Sequence, residues 1–311
     1  MLVSVIIPVF NGGKFIKQAL ESVYSQSYKN FEVVCVDDGS TDNTGTTIKD
    51  FDKRIIYYYS QNNKGQAAAR NTAIGLSHGD LIAFLDADDI WFPDKLKLQI
   101  KYLLDHPEVG MVHSNISIVT NGLITTRELP IIKRHRSFSI FDELYLGNFI
   151  NATVVVLRRE CLNIVGLFDE SLRRVEDYDL WLRVAANFKV GYQDVVTGIY
   201  RMHSDNTSRD TIATNIEVLK VLCKMRNLYP QHILKIPKKK INNRYLRLNY
   251  SIGYEYFSKF DLVNARRYFL NALKFKKTSI PIYTYILSTF LNIPMIERIR
   301  VIKRGIRKCV Y

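Results

Sequence analysis

Three aspartates follow an apolar run in the segment AFLDADDIW, at residues 83–91. Asp86, Asp88 and Asp89 disfavour joint ionisation wherever water is excluded, because their charges stand within four positions of one another. Such carboxylates remain in water, cap the helix predicted from Pro93 onward, or hold a cation. In an extended segment residues i and i+2 point the same way, so Asp86 and Asp88 can address one ligand. Mn²⁺ and Mg²⁺ bind one or two carboxylates together with substrate phosphates, and we predict such a site here.

Two further acidic pairs have both a structural and a chemical interpretation. Asp37 and Asp38 end a strand-like segment, and one of residues 40–42 can cap the next helix while the same turn binds a ligand. Glu176 and Asp177 begin the helix-like segment EDYDLWLRVAANF, where acidic side chains are ordinary caps favoured by the helix dipole. A carboxylate there can also accept the proton of an attacking hydroxyl group, which is typically worth about 10²–10⁴ in rate. Taken alone, this pair is better explained as a cap.

The first hundred residues alternate between strand-like and helix-like segments. Strands are predicted at 3–9, 31–38, 55–60 and 81–86, and helices at 15–26 and 64–77. Continuous apolar strands that alternate with helices are typical of a mostly parallel sheet, so the predicted fold class is α/β. Ligands bind beyond the carboxyl ends of such strands, which is where the acidic clusters and Asn11 fall. Later segments predict strands at 108–120, 151–159 and 189–203, a helix at 176–188, and a loop at 121–137.

The positive charge of the chain is concentrated in its last third. Residues 1–209 carry 23 Lys and Arg against 25 Asp and Glu, whereas residues 210–311 carry 21 against 5. We therefore predict a main domain over 1–209 and a basic helical region over 210–311 that meets an anionic surface. A solvated basic face would have the same composition. Segments 283–293 and 296–308 can lie on a membrane surface or form an ordinary core-facing helix pair.

One part of the basic region has the spacing of a single tetratricopeptide-like helix hairpin, carried by Gly253, Tyr256, Ala265, Phe269 and Ala272. Stacked repeats need about three units to be stable alone. We therefore expect one helix hairpin that packs on the main domain or is used for contacts.

The cysteines and the apolar segments indicate a cellular location. The four cysteines are far apart and form no C-x-x-C, which argues against a zinc site and a disulfide framework and favours reduced thiols. The apolar N-terminus lacks a basic leader and a cleavage site, and no stretch approaches the ~20 apolar residues of a transmembrane helix. We expect a cytoplasmic protein that is peripheral on the inner face of the cytoplasmic membrane.

Six motifs occur in a fixed order along the chain: VSVIIPVFN, VVCVDDGSTD, NKGQAAARN, FLDADD, GLFDESL with EDYDLWLR, and YRMHSDNTS. In this order they resemble the inverting family 2 glycosyltransferases, which are nucleotide-sugar enzymes of the GT-A fold. The resemblance covers about residues 2–209. It implies an α/β fold of GT-A type with a mostly parallel nucleotide-binding sheet flanked by helices, to which this chain adds an α-helical C-terminal extension.

The resemblance also implies a nucleotide-sugar site, whose candidate residues are Pro8, Phe10, Asn11, Asp37, Asp38, Gly65, Arg70, Asp86 and Arg201. Asp38 would accept a hydrogen bond from the base or the ribose. Phe10 stands where the family usually has Tyr, which puts a hydroxyl contact at that position in question. Arg70 can equally form a surface salt bridge, and Arg201 can meet phosphate oxygens or form an ion pair.

For the chemistry itself, the resemblance makes Asp177 the general base and Glu176 the residue that orients it. Asp88 would be the principal ligand of Mn²⁺ or Mg²⁺, and Asp86 would meet the metal shell or the ribose. His203 can bind the metal or the diphosphate, although a lone histidine is more often structural.

Together these features predict an inverting glycosyltransferase that moves a sugar from a nucleoside-diphosphate sugar, most simply a UDP-sugar, to a hydroxyl group of a glycan or lipid-linked acceptor in surface polysaccharide synthesis. Two other classes of protein share some of the features. A metal-dependent nucleotidyltransferase also uses acidic strand ends, but it would more usually have a Gly/Arg/Lys-rich loop where this chain has NGGKF. A nucleic-acid-binding protein would explain the net charge of +14, but an acidic rim would repel phosphate, so we expect no nucleic acid partner.

Overall fold

The computed structural model describes residues 1–51, 56–120, 123–125, 140–203, 210–291 and 294–295. The chain forms two compact units, Met1–Thr207 and Ser208–Tyr311. The predicted loop at 121–137 is described only at 123–125, and the basic segment 296–308 lies outside the described residues.

The first unit is built on a mixed sheet, whose strands are β1 (Val3–Val9), β2 (Phe31–Asp37), β3 (Ile56–Ser60), β4 (Leu81–Phe84), β5 (Ile90–Trp91), β6 (Val109–Thr120), β7 (Leu123–Thr125), β8 (Val155–Arg158) and β9 (Lys189–Met202). Their spatial order is β3-β2-β1-β4-β8-β6-β9-β5, and β7 pairs with β6. The strands β3, β2, β1 and β4 are parallel, whereas β8 runs antiparallel to both β4 and β6. The predicted parallel α/β half therefore occupies the first hundred residues.

Helices of the first unit are α1 (Ile16–Tyr24), α2 (Thr44–Asp50), α3 (Gln66–Leu76), α4 (Lys95–Asp105), α5 (Phe141–Leu146), α6 (Arg159–Val165) and α7 (Glu176–Asn187). Every residue of β1 and β2 is buried, as expected for central strands that are covered on both faces. In α7, Trp181 is fully buried, and its ring centroid lies 5.7 Å from that of Phe84 at the end of β4. This packing fixes the start of α7 near the acidic end of β4.

The structure differs from the sequence prediction at the end of β4. The strand was predicted to extend to Asp86, but it ends at Phe84, and the Asp89 N–H donates to the Asp86 carbonyl across 2.9 Å to close a turn. The turn is stabilised because the carboxylate of Asp89 is buried and accepts hydrogen bonds from the Thr153 hydroxyl and the Arg201 N–H. The expectation of an extended segment at 86–88 was therefore wrong.

The second unit is helical, with α8 (Thr211–Leu228), α9 (Pro230–Ile233), α10 (Lys238–Ser258), α11 (Leu262–Leu273) and α12 (Ile280–Ser288). Helices α10 and α11 pack tightly: a Cβ added at Gly253 would lie 2.9 Å from the ring of Phe269. Ala265 and Ala272 are fully buried in the same cluster. Among the residues that the structure describes, no helix combines the length and the apolar character needed to cross a membrane.

Candidate active site

Polar side chains from four strand ends and one helix start are joined by hydrogen bonds at one edge of the sheet. They come from the segments after β1, β2 and β4, from the end of β9, and from the first turn of α7. The sequence predicted this convergence for the first three segments from the parallel strand order. Its extension to α7 and β9 depends on contacts between residues about a hundred positions apart.

The two aspartates after β2 have different surroundings. Asp37 accepts hydrogen bonds from the Ser40 N–H (2.8 Å) and from the Tyr58 hydroxyl (2.9 Å), so its carboxylate shapes the turn. Asp38 accepts from the backbone N–H groups of Lys64 (2.9 Å) and Gly65 (2.7 Å). These hydrogen bonds of Asp38 connect the end of β2 to the loop that precedes α3.

The segment after β1 is attached to the same turn. Asn11 adopts a left-handed backbone conformation, with φ of 50°. Its N–H donates to the Ser40 hydroxyl (2.8 Å), and its side-chain oxygen accepts from the Thr41 N–H (2.8 Å). Pro8 is buried within β1, whereas the ring of Phe10 is 51% exposed.

The prediction that one of residues 40–42 caps α2 was wrong, because the N-cap residue is Asn43, which makes no side-chain cap hydrogen bond; Asp42 supports the helix start from one residue earlier. Its carboxylate accepts from the Thr44 N–H in the first turn of α2 (3.0 Å) and from the Gly13 N–H (3.1 Å). Burial alone would raise the pKa of Asp42, but these hydrogen bonds favour the charged form and lower the pKa below its usual value. The turn that begins α2 and the predicted binding turn thus share one backbone.

Gly65 allows close approach between two segments that are distant in sequence. Its φ of +97° lies in the region that favours glycine, and an added Cβ would collide with the guanidinium of Arg173. That guanidinium donates to the Lys64 carbonyl across 2.6 Å. Arg173 therefore connects the loop before α3 to the segment that leads into Glu176 and Asp177.

Arg70 joins two of the predicted acidic motifs. It is 2% exposed, and its guanidinium contacts the carboxylates of Asp86 (2.6 Å) and Glu176 (2.5 Å). Burial disfavours the charged form, but the carboxylates of Asp86, Glu176 and then Asp177 outweigh it and raise the pKa of Arg70. The guanidinium thus lies between two carboxylates inside the protein, and the surface salt bridge that the sequence left open is not formed.

Asp177 lies next to this ion pair, on the first turn of α7. Burial and the adjacent charge of Glu176 raise the pKa of Asp177 to about 7, although Arg70 opposes this rise. A general base is most effective when its pKa lies near the working pH. The carboxylate therefore has the protonation behaviour that proton transfer near neutrality requires.

Asp88 and His203 form the most accessible part of the acidic cluster. The carboxylate of Asp88 lies 2.8 Å from His203 Nε2, and about a quarter of each side chain is exposed. Burial and the charge of Asp86 raise the pKa of Asp88, whereas the hydrogen bond to His203 lowers it. Asp86 instead accepts from Arg70 and from the Gln66 amide (3.0 Å), so the two aspartates have different partners.

An aromatic ring supports the two basic residues at the end of β9. The ring of Phe15, at the residue before α1, stacks on His203 with centroids 4.9 Å apart. The Arg201 guanidinium lies 4.8 Å from the same ring centroid and donates to the Asp88 carbonyl and to Gln18. Burial lowers the pKa of Arg201, although Asp89 and Asp88 oppose this shift.

Sequence reasoning missed several residues that position the acidic cluster: Phe15, Gln18, Gln66, Thr153 and Arg173. Gln66 lies within the NKGQAAARN motif, so its position in that motif was an available signal. The other four lie between motifs or beside them, and only tertiary packing brings them to the site.

The residues suited to a divalent cation are Asp88 and His203. No group of three or more His, Cys, Asp and Glu side chains with ligand geometry occurs in the described part of the chain. A carboxylate oxygen and an imidazole nitrogen are nevertheless suitable donors for Mn²⁺, and Mg²⁺ is usually bound through one or two carboxylates and substrate phosphates. The donor set therefore fits a cation that completes its coordination with a diphosphate.

Comparisons with known proteins are consistent with this geometry. Residues 4–162 match the family model described as glycosyl transferase family 2. Two Escherichia coli enzymes named as UDP-Glc:alpha-D-GlcNAc-diphosphoundecaprenol beta-1,3-glucosyltransferases are similar in sequence. WfaP is 33% identical over 71% of this chain and 85% of its own length, and WfgD is 36% identical over 59% and 69%.

A solved structure supports the fold assignment. The mannosyltransferase PcManGT from Pyrobaculum calidifontis, in complex with GDP-Man and Mn²⁺, superimposes with a TM-score of 0.62 and 19% identity, over 92% of this chain and 78% of its own. At this identity the likeness concerns the fold alone, which is the GT-A type α/β fold that the sequence predicted. The family match and the curated relatives also confirm the resemblance read from the six motifs, and the chain belongs to glycosyltransferase family 2.

Proposed function

We propose that the protein is an inverting, metal-dependent glycosyltransferase that moves a sugar from a UDP-sugar to a hydroxyl group of a lipid-linked saccharide in surface polysaccharide synthesis. The observation that carries the proposal is the Arg70 bridge. One buried guanidinium holds Asp86, on the side of the site assigned to the donor, and Glu176, beside the assigned base. The bridge would keep the carboxylate assigned to the donor side close to the residues assigned to proton transfer.

In the proposed reaction, Asp177 accepts the proton of the acceptor hydroxyl as its oxygen forms a bond to the anomeric carbon. The bond from that carbon to the diphosphate oxygen breaks, and UDP leaves from the opposite face, so the configuration inverts. Glu176 acts as a positioning residue, because its charge raises the pKa of Asp177 and its carboxylate is fixed by Arg70. A base with a pKa of about 7 is largely ionised in mildly alkaline solution.

The donor would bind beyond the strand ends, with Phe10 and Asn11 at the base. Pro8 and Asp38, assigned to the same pocket, are buried and would shape it through β1 and through the loop before α3. Gly65 and Arg201 are assigned to the part of the site that would contact the sugar and the diphosphate. Asp37 would act indirectly, because its carboxylate shapes the turn after β2. Asp88 and His203 would hold Mn²⁺ or Mg²⁺, with Asp86 adjacent. A bound divalent cation supplies positive charge beside the leaving diphosphate.

The acceptor and the location follow from the relatives and from the charge of the chain. The two E. coli relatives are named for a diphosphoundecaprenol-linked acceptor. A lipid-linked acceptor on the cytoplasmic side would require an enzyme that works at the inner face of the membrane. The excess of 21 Lys and Arg over 5 Asp and Glu in residues 210–311 is suited to an anionic membrane surface.

Two substitutions test the proposal. Asp177→Asn keeps the size of the side chain but cannot accept the proton, so transfer should fall by about 10²–10⁴ while UDP binding is retained. Asp88→Ala should remove the Mn²⁺ dependence of UDP binding and leave the fold intact. The exposed Asp105→Asn, which changes the same charge on α4, is the matched control and should transfer normally.

Sugar transfer from radiolabelled UDP-sugars to a polyprenyl-diphosphate-linked GlcNAc measures the first effect, and calorimetric titration with UDP and Mn²⁺ measures the second. Turnover of Asp177→Asn close to that of the parent protein would exclude this residue as the base. Independent binding of UDP and Mn²⁺ in the parent protein would overturn the metal-dependent donor site.

A further inference from the structure

Helix α12 and the two residues after it present large apolar side chains to solvent along one face. Ile280, Tyr283, Leu287 and Phe290 are between 47% and 75% exposed. Their spacing of three, four and three residues places them on one side of a helix. The opposite side is occupied, because Ile282 is buried in the cluster with Phe269. The exposed stripe is therefore a second apolar face on a helix whose first face already packs inside the unit.

Basic residues are close to this stripe in sequence, and the nearest acidic residues are Asp261 and Glu297. Residues 262–296 contain five basic residues and no Asp or Glu; the five are Arg266, Arg267, Lys274, Lys276 and Lys277. The Arg266 guanidinium lies 3.6 Å from the ring centroid of Phe290 and donates to the Thr289 carbonyl across 2.9 Å. A fixed cation thus lies directly at the end of the apolar stripe.

Helix α11 also combines exposed apolar side chains with basic residues on its solvent-facing side. Val263 and Leu270 are exposed, two helical turns apart. They share one open face of α11 with Arg266, Arg267, Asn271 and Lys274. This open helix face, with three cations and two apolar side chains, suits contact with phosphate headgroups and the adjoining acyl chains.

We propose that the stripe on α12, with the basic outer side of α11, is the surface by which the protein lies on a bilayer of anionic phospholipid. Apolar side chains enter the interface while Lys and Arg remain at the level of the headgroups, as in interfacial amphipathic helices. Tyr283 has the amphipathic ring that is enriched at membrane interfaces. A second copy of the chain would bring five cations against five, which disfavours self-association through this face.

The proposal rests on the proposed function in one respect, since a lipid-linked acceptor gives the enzyme a reason to lie on a membrane. Its test does not use catalysis. The full chain is sedimented with vesicles of phosphatidylglycerol and phosphatidylethanolamine, and separately with vesicles of phosphatidylcholine, without any nucleotide-sugar. The parent protein should bind the anionic vesicles and bind the neutral ones much more weakly.

The apolar part of the surface is tested with the double variant Ile280→Asp and Leu287→Asp. Both side chains are exposed, so the fold should be retained, and circular dichroism checks this. Removing two apolar side chains from the interface should weaken vesicle binding by at least about tenfold. The combined variant Ile164→Asp and Leu167→Asp, which replaces an exposed isoleucine and an exposed leucine of the first unit and adds the same charge, is the matched control and should bind as the parent does.

The charged part is tested with Lys274→Gln, Lys276→Gln and Lys277→Gln combined. Each cation near an anionic surface contributes enough for about a fivefold change in binding, and the effect should disappear at high salt. The combined variant Lys29→Gln, Lys97→Gln and Lys101→Gln removes the same charge from the first unit and should have little effect.

Three results would overturn the proposal. They are failure of the parent protein to bind anionic vesicles, binding by the Ile280/Leu287 variant that equals the parent's, and dimerisation that this variant abolishes while vesicle binding persists. Slow UDP-sugar hydrolysis without acceptor should be the same in the parent and in the variants. Absence of that hydrolysis from every protein, including the parent, would count against the proposed function and not against the membrane surface.

Discussion

Replacing Arg70 with methionine should separate the structural role of its charge from its influence on the proposed base. The guanidinium lies between the carboxylates of Asp86 and Glu176 at 2.6 and 2.5 Å. Methionine fills much of the same volume but leaves both carboxylates without their cation. It also removes the one positive charge that opposes the rise in the pKa of Asp177.

The magnitude of the stability loss follows from burial. Arg70 is 2% exposed, so its removal leaves a carboxylate charge on Glu176 in a place where water cannot compensate it. Removing one partner of a buried ion pair costs about 3–5 kcal/mol. For a unit of roughly 200 residues this corresponds to a fall in Tm of about 6–20 °C. The pKa of Asp177 should rise above about 7 at the same time, by about one unit or more.

The assay is the pH dependence of kcat for sugar transfer, measured beside thermal unfolding. The base acts when it is ionised, so activity should increase with pH through the pKa of Asp177 and then level off. In Arg70→Met the rising limb should move to higher pH. Arg70→Lys keeps a positive charge but cannot hold both carboxylates in a planar fork, so it should lose stability with a smaller shift of the limb.

Arg183→Met is the matched control. Arg183 is also buried, bonds to Asp179 at 2.9 Å, and donates to backbone carbonyls at residues 165–167. Its removal should lower Tm by a similar amount without moving the pH profile. A rising limb that is unchanged in Arg70→Met, or one that moves equally in Arg183→Met, would refute the inference that Arg70 acts on the base through its charge.

Three further perturbations address other parts of the structure. Phe15→Leu removes the ring that stacks on His203 and lies under Arg201. Mn²⁺ should then bind about tenfold more weakly in the presence of UDP, as measured by electron paramagnetic resonance. An unchanged affinity for Mn²⁺ would exclude a positioning role for Phe15. Gly65→Ala should lower the free energy of unfolding by at least about 1–2 kcal/mol, because its φ is +97° and the added Cβ would also displace the Arg173 guanidinium. Gly75→Ala, in open space on α3, should raise the free energy of unfolding by about 0.5 kcal/mol. Equal effects of the two substitutions in calorimetry would contradict this argument. Gly253→Val should crowd Phe269 and destabilise the α10–α11 hairpin by about 1–3 kcal/mol, seen as faster amide exchange in both helices. Protection equal to the parent's would show that the contact accommodates a larger side chain and would contradict the close packing.

The parallel half of the fold could be predicted because its signals are local. The run at 3–9 is apolar at nearly every position, and the structure gives the same bounds for β1. The predicted helix at 176–188 likewise corresponds to α7, although burial extends beyond its apolar stripe to Glu176, Asp179 and Arg183. The end of β4 could not be predicted, because the turn at 86–89 depends on hydrogen bonds from Thr153 and Arg201, which are far away in sequence.

The candidate site shows the same division between local and tertiary information. Motif order identified the acidic residues and placed Asp38, Asp88 and Asp177 near strand or helix ends, and their assigned roles stay predictions. The contact of Arg70 with both Asp86 and Glu176 was not foreseen, since the helical segment at 64–77 has too weak an apolar pattern to show which side is buried. Nor did any local pattern indicate that Phe15 would contact residues near position 200.

The distribution of compensating groups suggests why this crowding of acids can be functional. Arg70 forms direct ion pairs with both Asp86 and Glu176, so its single positive charge compensates part of their combined negative charge. Asp88 is hydrogen-bonded to the His203 imidazole, and Asp177 accepts a hydrogen bond from a backbone N–H. Each of these partners compensates the negative charge of a carboxylate less than a guanidinium does. Burial raises the pKa of both of these carboxyl groups, and it also raises that of Asp89, whose carboxylate accepts hydrogen bonds from Thr153 and Arg201. Asp88 and Asp177 are the residues to which we assign cation binding and proton acceptance. The negative charge that the fold leaves partly uncompensated therefore lies where a cation or a proton would be taken up.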